Sequence, residues 1–217
     1  MTLGVITLQI LYKDNDIIAV NKPCTVPVNE EGVKSLVSEY GPVFIVHRLD
    51  TPTTGILILA RNQKSAGEIS KSITSGDFKK TYLAVVEGDC PENGDLEDEL
   101  FFDRRKNKSF AVSRARGGTK HASLSFSRLE KKENLSLVKI NLKTGRTHQI
   151  RVQFASRKIP LFGDGKYGSR LNGNLALHCT EIEFPHPKKR TIVHVTCPPP
   201  TNETPWNIFD NFDVLAP

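Results

Sequence analysis

Paired cysteines, metal-spaced histidines and long apolar runs are what this sequence lacks. Its four cysteines, Cys24, Cys90, Cys179 and Cys197, lie far apart and form no C-x-x-C pair. That spacing supports neither a disulfide framework nor a zinc knuckle, and reduced cytosolic thiols fit it best. The six histidines include no H-x-x-x-H or H-E-x-x-H spacing, so no metal is expected. No apolar run approaches the ~20 residues that a membrane helix needs, and "MTLGVITLQI" has no basic n-region. A cytoplasmic protein with no membrane partner is the expectation. "FGDGKYG", Phe162 to Gly168, is not a G-x-x-x-x-G-K-[ST] loop, so a nucleotide cofactor has little support and none is expected. Repeats, low-complexity blocks and long linkers are missing as well.

What is present is an ordinary mixed composition. The 217 residues are 38% hydrophobic and 25% charged, enough for one sizeable core or two small lobes. A net charge of +6 favours a polyanionic partner. "LQILYKDNDIIAVNKP" holds strand-like runs from Leu8 to Tyr12 and Ile17 to Val20 about an Asp14-Asn15-Asp16 turn, which reads as a hairpin. Val33, Leu36, Val37 and Tyr40 fall on one face of a short helix ended by Gly41-Pro42. Asn62 is placed to cap a second helix with the apolar stripe Ala66, Ile69 and Ile73, closed by Gly76. "KTYLAVVEG", "LSLVKINL", "LALHCTEIEF" and "TIVHVTC" read as strands. Thr147 is a candidate helix cap, with Ile150 and Phe154 on the apolar face. Thr204-Pro205 can start a last helix that packs through Trp206 and Phe209.

Between these elements, "DRRKNKSFAVSRARGGTK" carries Arg104, Arg105, Lys106, Lys108, Arg114, Arg116 and Lys120 against the single acid Asp103. Such like-charge density is costly unless an anion neutralises it, and phosphate is the obvious candidate. The interleaved Phe110 and Val112 mark a structured strand pair.

Three positions can carry chemistry. In "HRLDTPTTGILILAR", Asp50 stands between Arg48 and a small-residue turn that leads into an apolar strand. A carboxylate beside an arginine stays ionised at neutral pH, which suits a nucleophile or base acting at a sugar C1′ centre. The plain alternative is a strand-end acid paired with Arg48. No second carboxylate stands out nearby, so the usual two-carboxylate glycosidase arrangement does not fit. Arg146 and Arg151 flank a helix start, where arginines are disfavoured by the macrodipole unless they meet an anion or carboxylate. Tyr82 lies within a strand and by itself reads as a core aromatic; Lys22 in "NKP" by itself reads as a solvated loop lysine.

Taken in order, "NKP" at Asn21 to Pro23, "HRLDTPTTG" at His47 to Gly55, "KTYLAVVEG" at Lys80 to Gly88, "LKTGRTHQIRVQFA" at Leu142 to Ala155, "PLFGDGKYG" at Pro160 to Gly168 and "LALHC…FPHP" at Leu175 to Pro187 resemble the motif series of the RluA-type pseudouridine synthases. The resemblance covers nearly the whole chain. It implies an α+β fold, with a mixed, largely antiparallel sheet in two lobes, peripheral helices and a central basic cleft. It implies the cofactor-free isomerisation of uridine to pseudouridine in ribosomal or transfer RNA. By motif, Asp50 would act on the ribose C1′ side, by direct attack or through a glycal. Arg151 would pair with that aspartate, and Tyr82 would pack against the flipped uracil and help remove its C5 proton. Stacking on an aromatic ring offsets part of the cost of flipping a base, ~1 to 3 kcal/mol.

The resemblance has departures: Thr54 replaces a usual serine, "NKPCTVPV" lacks a glycine and histidine, and Gln153 stands where a histidine is common. The expected organisation is one catalytic domain over residues 1–217 without a separate RNA-binding module, and a monomer is the simpler expectation. Substrate RNA would then be gripped by Lys22, Arg48, Arg104, Arg105, Arg116, Lys120 and Arg146. The competing reading is a catalytically inactive RNA-binding or chaperone protein on the same fold.

Overall fold

The computed structural model describes residues 8–212. The chain divides into two compact units, Met1–Lys79 with Cys179–Cys197, and Lys80–His178 with Pro198–Pro217. Every strand pairing detailed below is antiparallel, and the fold is α+β.

In the first unit, β1 (Gln9–Lys13) and β2 (Ile17–Lys22) form the expected hairpin. Its turn is held by Asp14 Oδ1, which accepts the N–H groups of Asp16 at 2.8 Å and Ile17 at 3.0 Å. β2 pairs with β4 (Thr54–Ala60), from Ile17 opposite Ala60 to Lys22 opposite Gly55, and the short β3 (Phe44–Ile45) also pairs with β4. Gly55 to Ala60 are all buried, the pattern of a strand covered on both faces. Gly55 has φ 102°, and a Cβ there would lie 2.2 Å from the Cys179 carbonyl oxygen, so only glycine admits the neighbouring chain. That neighbour is β10 (Leu177–Pro185), in this unit from Cys179 onward, which pairs in turn with β11 (Ile192–Thr196).

Helix α1 (Gln63–Ser75) begins where the Asn62 side chain accepts the Ser65 N–H at 2.9 Å, and it stops at left-handed Gly76. Its buried stripe is narrower than the sequence spacing suggests: Ile69 is fully buried, but Ile73 is 36% exposed. The helix expected through Val33 and Tyr40 is broken. A wide turn over Glu30–Lys34 contains a non-helical Gly32, and a separate 3-10 turn covers Ser38–Tyr40. Val33 and Val37 are nevertheless both buried, so the apolar spacing marked the correct face.

In the second unit the strand order is β5 (Lys79–Glu87, its first residue assigned to the first unit), β9 (Leu135–Leu142), β8 (Thr119–Lys132), β6 (Asn93–Asp103) and β7 (Lys108–Val112). Alternation along β5 sends Leu83 and Val85 into a core with Leu137, Phe162, Ala176, Trp206 and Phe209. Each of the leucine, valine and phenylalanine side chains among them contributes about 1.5–3 kcal/mol on burial. Tyr82 therefore lies on the opposite face of the sheet. The final element is only a 3-10 turn, Trp206–Ile208, although Trp206 and Phe209 pack as expected. Helix α2 (Gln149–Ser156) starts at His148 in the left-handed region, not at a Thr147 cap. The Gln149 side chain instead closes the entry, its Oε1 accepting from Thr144 Oγ1 at 2.8 Å and the Arg146 N–H at 3.0 Å.

Candidate active site

In the first unit, Asp50 sits on the segment between β3 and β4, whose alternate residues His47 and Leu49 are pinned inward. His47 is buried, accepts the Ile58 N–H on Nε2 at 2.9 Å and packs on Phe78 at 5.1 Å between ring centroids. Leu49 is buried too, so Arg48 faces solvent and Asp50 is half-exposed. The Thr53 N–H then bonds the Asp50 carbonyl at 3.0 Å, closing the turn into β4. The carboxylate thus stands on backbone fixed on both sides. Arg48 forms no ion pair among the described residues, which removes the plain reading of an Arg48–Asp50 couple.

Lys22 is not the solvent-facing RNA contact expected of it. Its side chain is fully buried, and Nζ donates to the carbonyls of Pro23 at 2.8 Å, Val26 at 2.9 Å and Thr51 at 2.9 Å. A phosphate cannot reach an ammonium in that position. Lys22 instead ties the loop after β2 to the residue following Asp50. Burial pushes its ammonium down to about 8, while the negative charge of Asp50 is among the influences acting to raise it.

In the second unit, Tyr82 is buried on β5 opposite Ile140 of β9. Lys80 lies two residues before it on the same face, its ammonium 3.3 Å from where a Cβ on Gly145 would sit. Arg151 is buried on α2. Its Nε donates to Asp164 Oδ2 at 2.7 Å and its Nη2 to Asp164 Oδ1 at 2.8 Å. The Tyr167 ring lies 5.1 Å from the guanidinium carbon. Here is a carboxylate that offsets the unfavourable position of an arginine in the first turn of a helix.

Asp164 is the site residue that sequence reasoning missed. It belongs to "FGDGKYG", whose Gly163, Gly165 and Gly168 fall at the G-x-G-x-x-G spacing but open only the three-residue turn Gly165–Tyr167. With no helix behind it the stretch is no phosphate loop; an acid flanked by two glycines was the available signal. The second unit thus brings Arg151, Asp164 and Tyr167 together.

The basic strand pair is a hairpin of β6 and β7, with Asp103 opposite Lys108. Asp103 Oδ1 accepts the N–H groups of Arg105 at 2.9 Å and Lys106 at 3.1 Å, fixing the tip from which Arg104, Arg105 and Lys106 project. The Arg116 guanidinium lies 5.3 Å from the Phe101 ring. Among the described residues, none of Arg104, Arg105, Lys106, Lys108, Arg114, Arg116 and Lys120 has a carboxylate partner. Arg146, before α2, is exposed and donates through Nε to the His121 carbonyl at 2.8 Å.

Asp14, Asp16 and His186 bring metal-type ligand atoms within 4.8 Å of one another. Lys188 binds Asp16 at 2.8 Å and Lys189 binds Asp14 at 3.0 Å, so those carboxylates already carry cations, and the group reads as a salt-bridge latch. No described helix is long and apolar enough to cross a membrane.

Comparison with known proteins gives the same architecture a family. The human protein RNA Pseudouridylate Synthase Domain Containing 1 superposes with a TM-score of 0.79 at 24% identity, over 89% of this chain and 84% of that one, and shares the fold. The RNA pseudouridylate synthase family model matches residues 16–156. The uncharacterized RNA pseudouridine synthase MG209 homolog of Mycoplasma pneumoniae is 34% identical over 194 residues, 83% of this chain and 63% of its own length. The ribosomal large subunit pseudouridine synthase C of Buchnera aphidicola is 33% identical over 210 residues, 88% of this chain and 67% of its own. The chain belongs to the RNA pseudouridylate synthase family, isomerases that convert uridine to pseudouridine in RNA. It spans about two thirds of the length of these two curated relatives.

Proposed function

We propose that the chain isomerises uridine to pseudouridine in ribosomal or transfer RNA, acting as a cytoplasmic monomer, with Asp50 as the catalytic carboxylate. In that reaction the bond from C1′ to N1 breaks, the uracil turns over, a bond from C1′ to C5 forms, and C5 loses the proton while N1 gains one. Asp50 works at C1′, by direct attack or through a glycal. Tyr82 packs against the flipped base and assists removal of the C5 proton. Arg151 contributes its oriented guanidinium to the chemistry.

The observation that carries this reading is the mounting of Asp50: a half-exposed acid held between buried His47, buried Leu49 and the turn into β4. A reacting group needs that rigidity, because small misplacements cost rate steeply. RNA is gripped by the uncompensated cations of the β6–β7 hairpin, with Lys120, Arg48 and Arg146. Ribosomal RNA is the first substrate to try, since a relative 33% identical is named for the large ribosomal subunit.

The test is site-resolved pseudouridine mapping of ribosomal and transfer RNA after incubation with the protein or with D50N. Conversion by wild type, falling roughly 10³-fold or more in D50N at unchanged RNA binding, is expected. Equal RNA binding by both with no conversion by either would leave an RNA-binding protein that is not an enzyme.

A further inference from the structure

We infer that Asp164 is a positioning residue, which sets the orientation of the Arg151 guanidinium for the isomerisation; this rests on the function proposed above. The pair is bidentate, Nε to Oδ2 and Nη2 to Oδ1, with side-chain exposures of only 6% and 1%. Two parallel hydrogen bonds fix both the plane and the rotation of a guanidinium, which a single hydrogen bond cannot do. The Tyr167 ring, 5.1 Å away, bounds its face. Together they determine where the rest of the guanidinium points.

The clamp is itself held. The Asp164 carbonyl accepts the N–H groups of Tyr167 at 2.9 Å and Ser169 at 3.1 Å. The Tyr167 hydroxyl accepts the Ser109 N–H at 2.8 Å and lies 2.9 Å from His148 Nδ1. Support thus reaches Arg151 from the residue that starts its own helix and from the basic hairpin. Anchoring a loop to a helix does not call for charge: apolar side chains of similar volume often do as well or better, because burying two ions costs several kcal/mol. An oriented donor does call for it.

The experiment compares wild type, D164N, R151K and the double variant D164N/R151K in single-turnover conversion of a substrate RNA, alongside RNA affinity and thermal melting. D164N is expected to lower the rate roughly 10- to 100-fold while RNA affinity stays within about twofold. Because Asp164 acts through Arg151, D164N in the R151K background should cost no more than about threefold further. A wild-type rate in folded D164N, or losses that multiply in the double variant, would overturn the positioning role. If D164N does not fold, D164E keeps the charge and displaces the guanidinium by one methylene. A lowered rate at unchanged affinity then supports the inference, and a wild-type rate overturns it. D50N runs in parallel: absence of conversion by wild type itself overturns the function and the inference together, whereas an inactive D50N beside a fully active D164N overturns the inference alone.

Discussion

Two buried cations, one in each unit, are held by opposite chemistries. Lys22 gives its ammonium protons to three main-chain carbonyls, whereas Arg151 meets the carboxylate of Asp164. Carbonyl dipoles satisfy donors without cancelling the charge, so burial weighs on Lys22 and its field still reaches Asp50. The Asp164 carboxylate takes two donors of Arg151 and fixes the plane of the guanidinium, leaving its other donors aligned. One cation contributes field and loop shape, the other direction. Both lie beneath the surface, while the cations left for a polyanion sit on the β6–β7 hairpin without carboxylates.

The contrast can be broken most severely at Arg151. R151M would leave Asp164 buried without its counter-charge and should destabilise the fold by about 3–5 kcal/mol in urea unfolding. A change under about 1 kcal/mol would mean that Asp164 is reached by water or by another cation.

Lys22 should respond less to removal and more to pH. Its ordinary value is 10.5 and its folded value about 8, so between those limits the unfolded chain holds a proton that the native protein has released. Stability therefore rises with pH across that window, by up to about 3 kcal/mol from this group, and the cost of the buried charge is fully present below it. K22M should lack the rise, and at neutral pH should lose only about 1–3 kcal/mol for the carbonyls left without donors. Urea midpoints at pH 7.5 and 10 for both proteins test this by difference; parallel changes would show that Lys22 keeps its proton.

The hairpin marks the other extreme. Neutralising Arg104, Arg105 and Arg116 to glutamine should move stability by no more than about 0.5 kcal/mol. RNA affinity should fall, and its dependence on salt should flatten by about 0.7 to 0.9 for each phosphate that is no longer neutralised. An unchanged slope in binding titrations would make these residues solvated surface.

Much of the scaffold was readable in advance. The Asp14 turn, the Asn62 cap, Gly76 and the alternation in "LSLVKINL" are signals that act within a few residues, and each formed the element expected of it. The helix through Val33 failed because Gly32, packed on Pro27, breaks the backbone that the apolar spacing would have continued. The Thr147 cap failed because the helix begins one residue later, at left-handed His148, and the Gln149 N–H bonds the Arg146 carbonyl at 3.0 Å instead of a Thr147 side chain. Arg151 was legible as an arginine in need of an anion, but not as a partner of Asp164, thirteen residues away beyond the end of its helix.

By itself, then, the sequence determined the strands, the capped helix, the exposed cationic hairpin and the acid on a rigid turn, because short-range periodicity and turn chemistry suffice for those. Only the tertiary structure decided that Lys22 is enclosed and that Asp164 folds onto Arg151. Burial and charge pairing depend on which distant segments close over a side chain, and no local pattern around Lys22 or Arg151 carries that information.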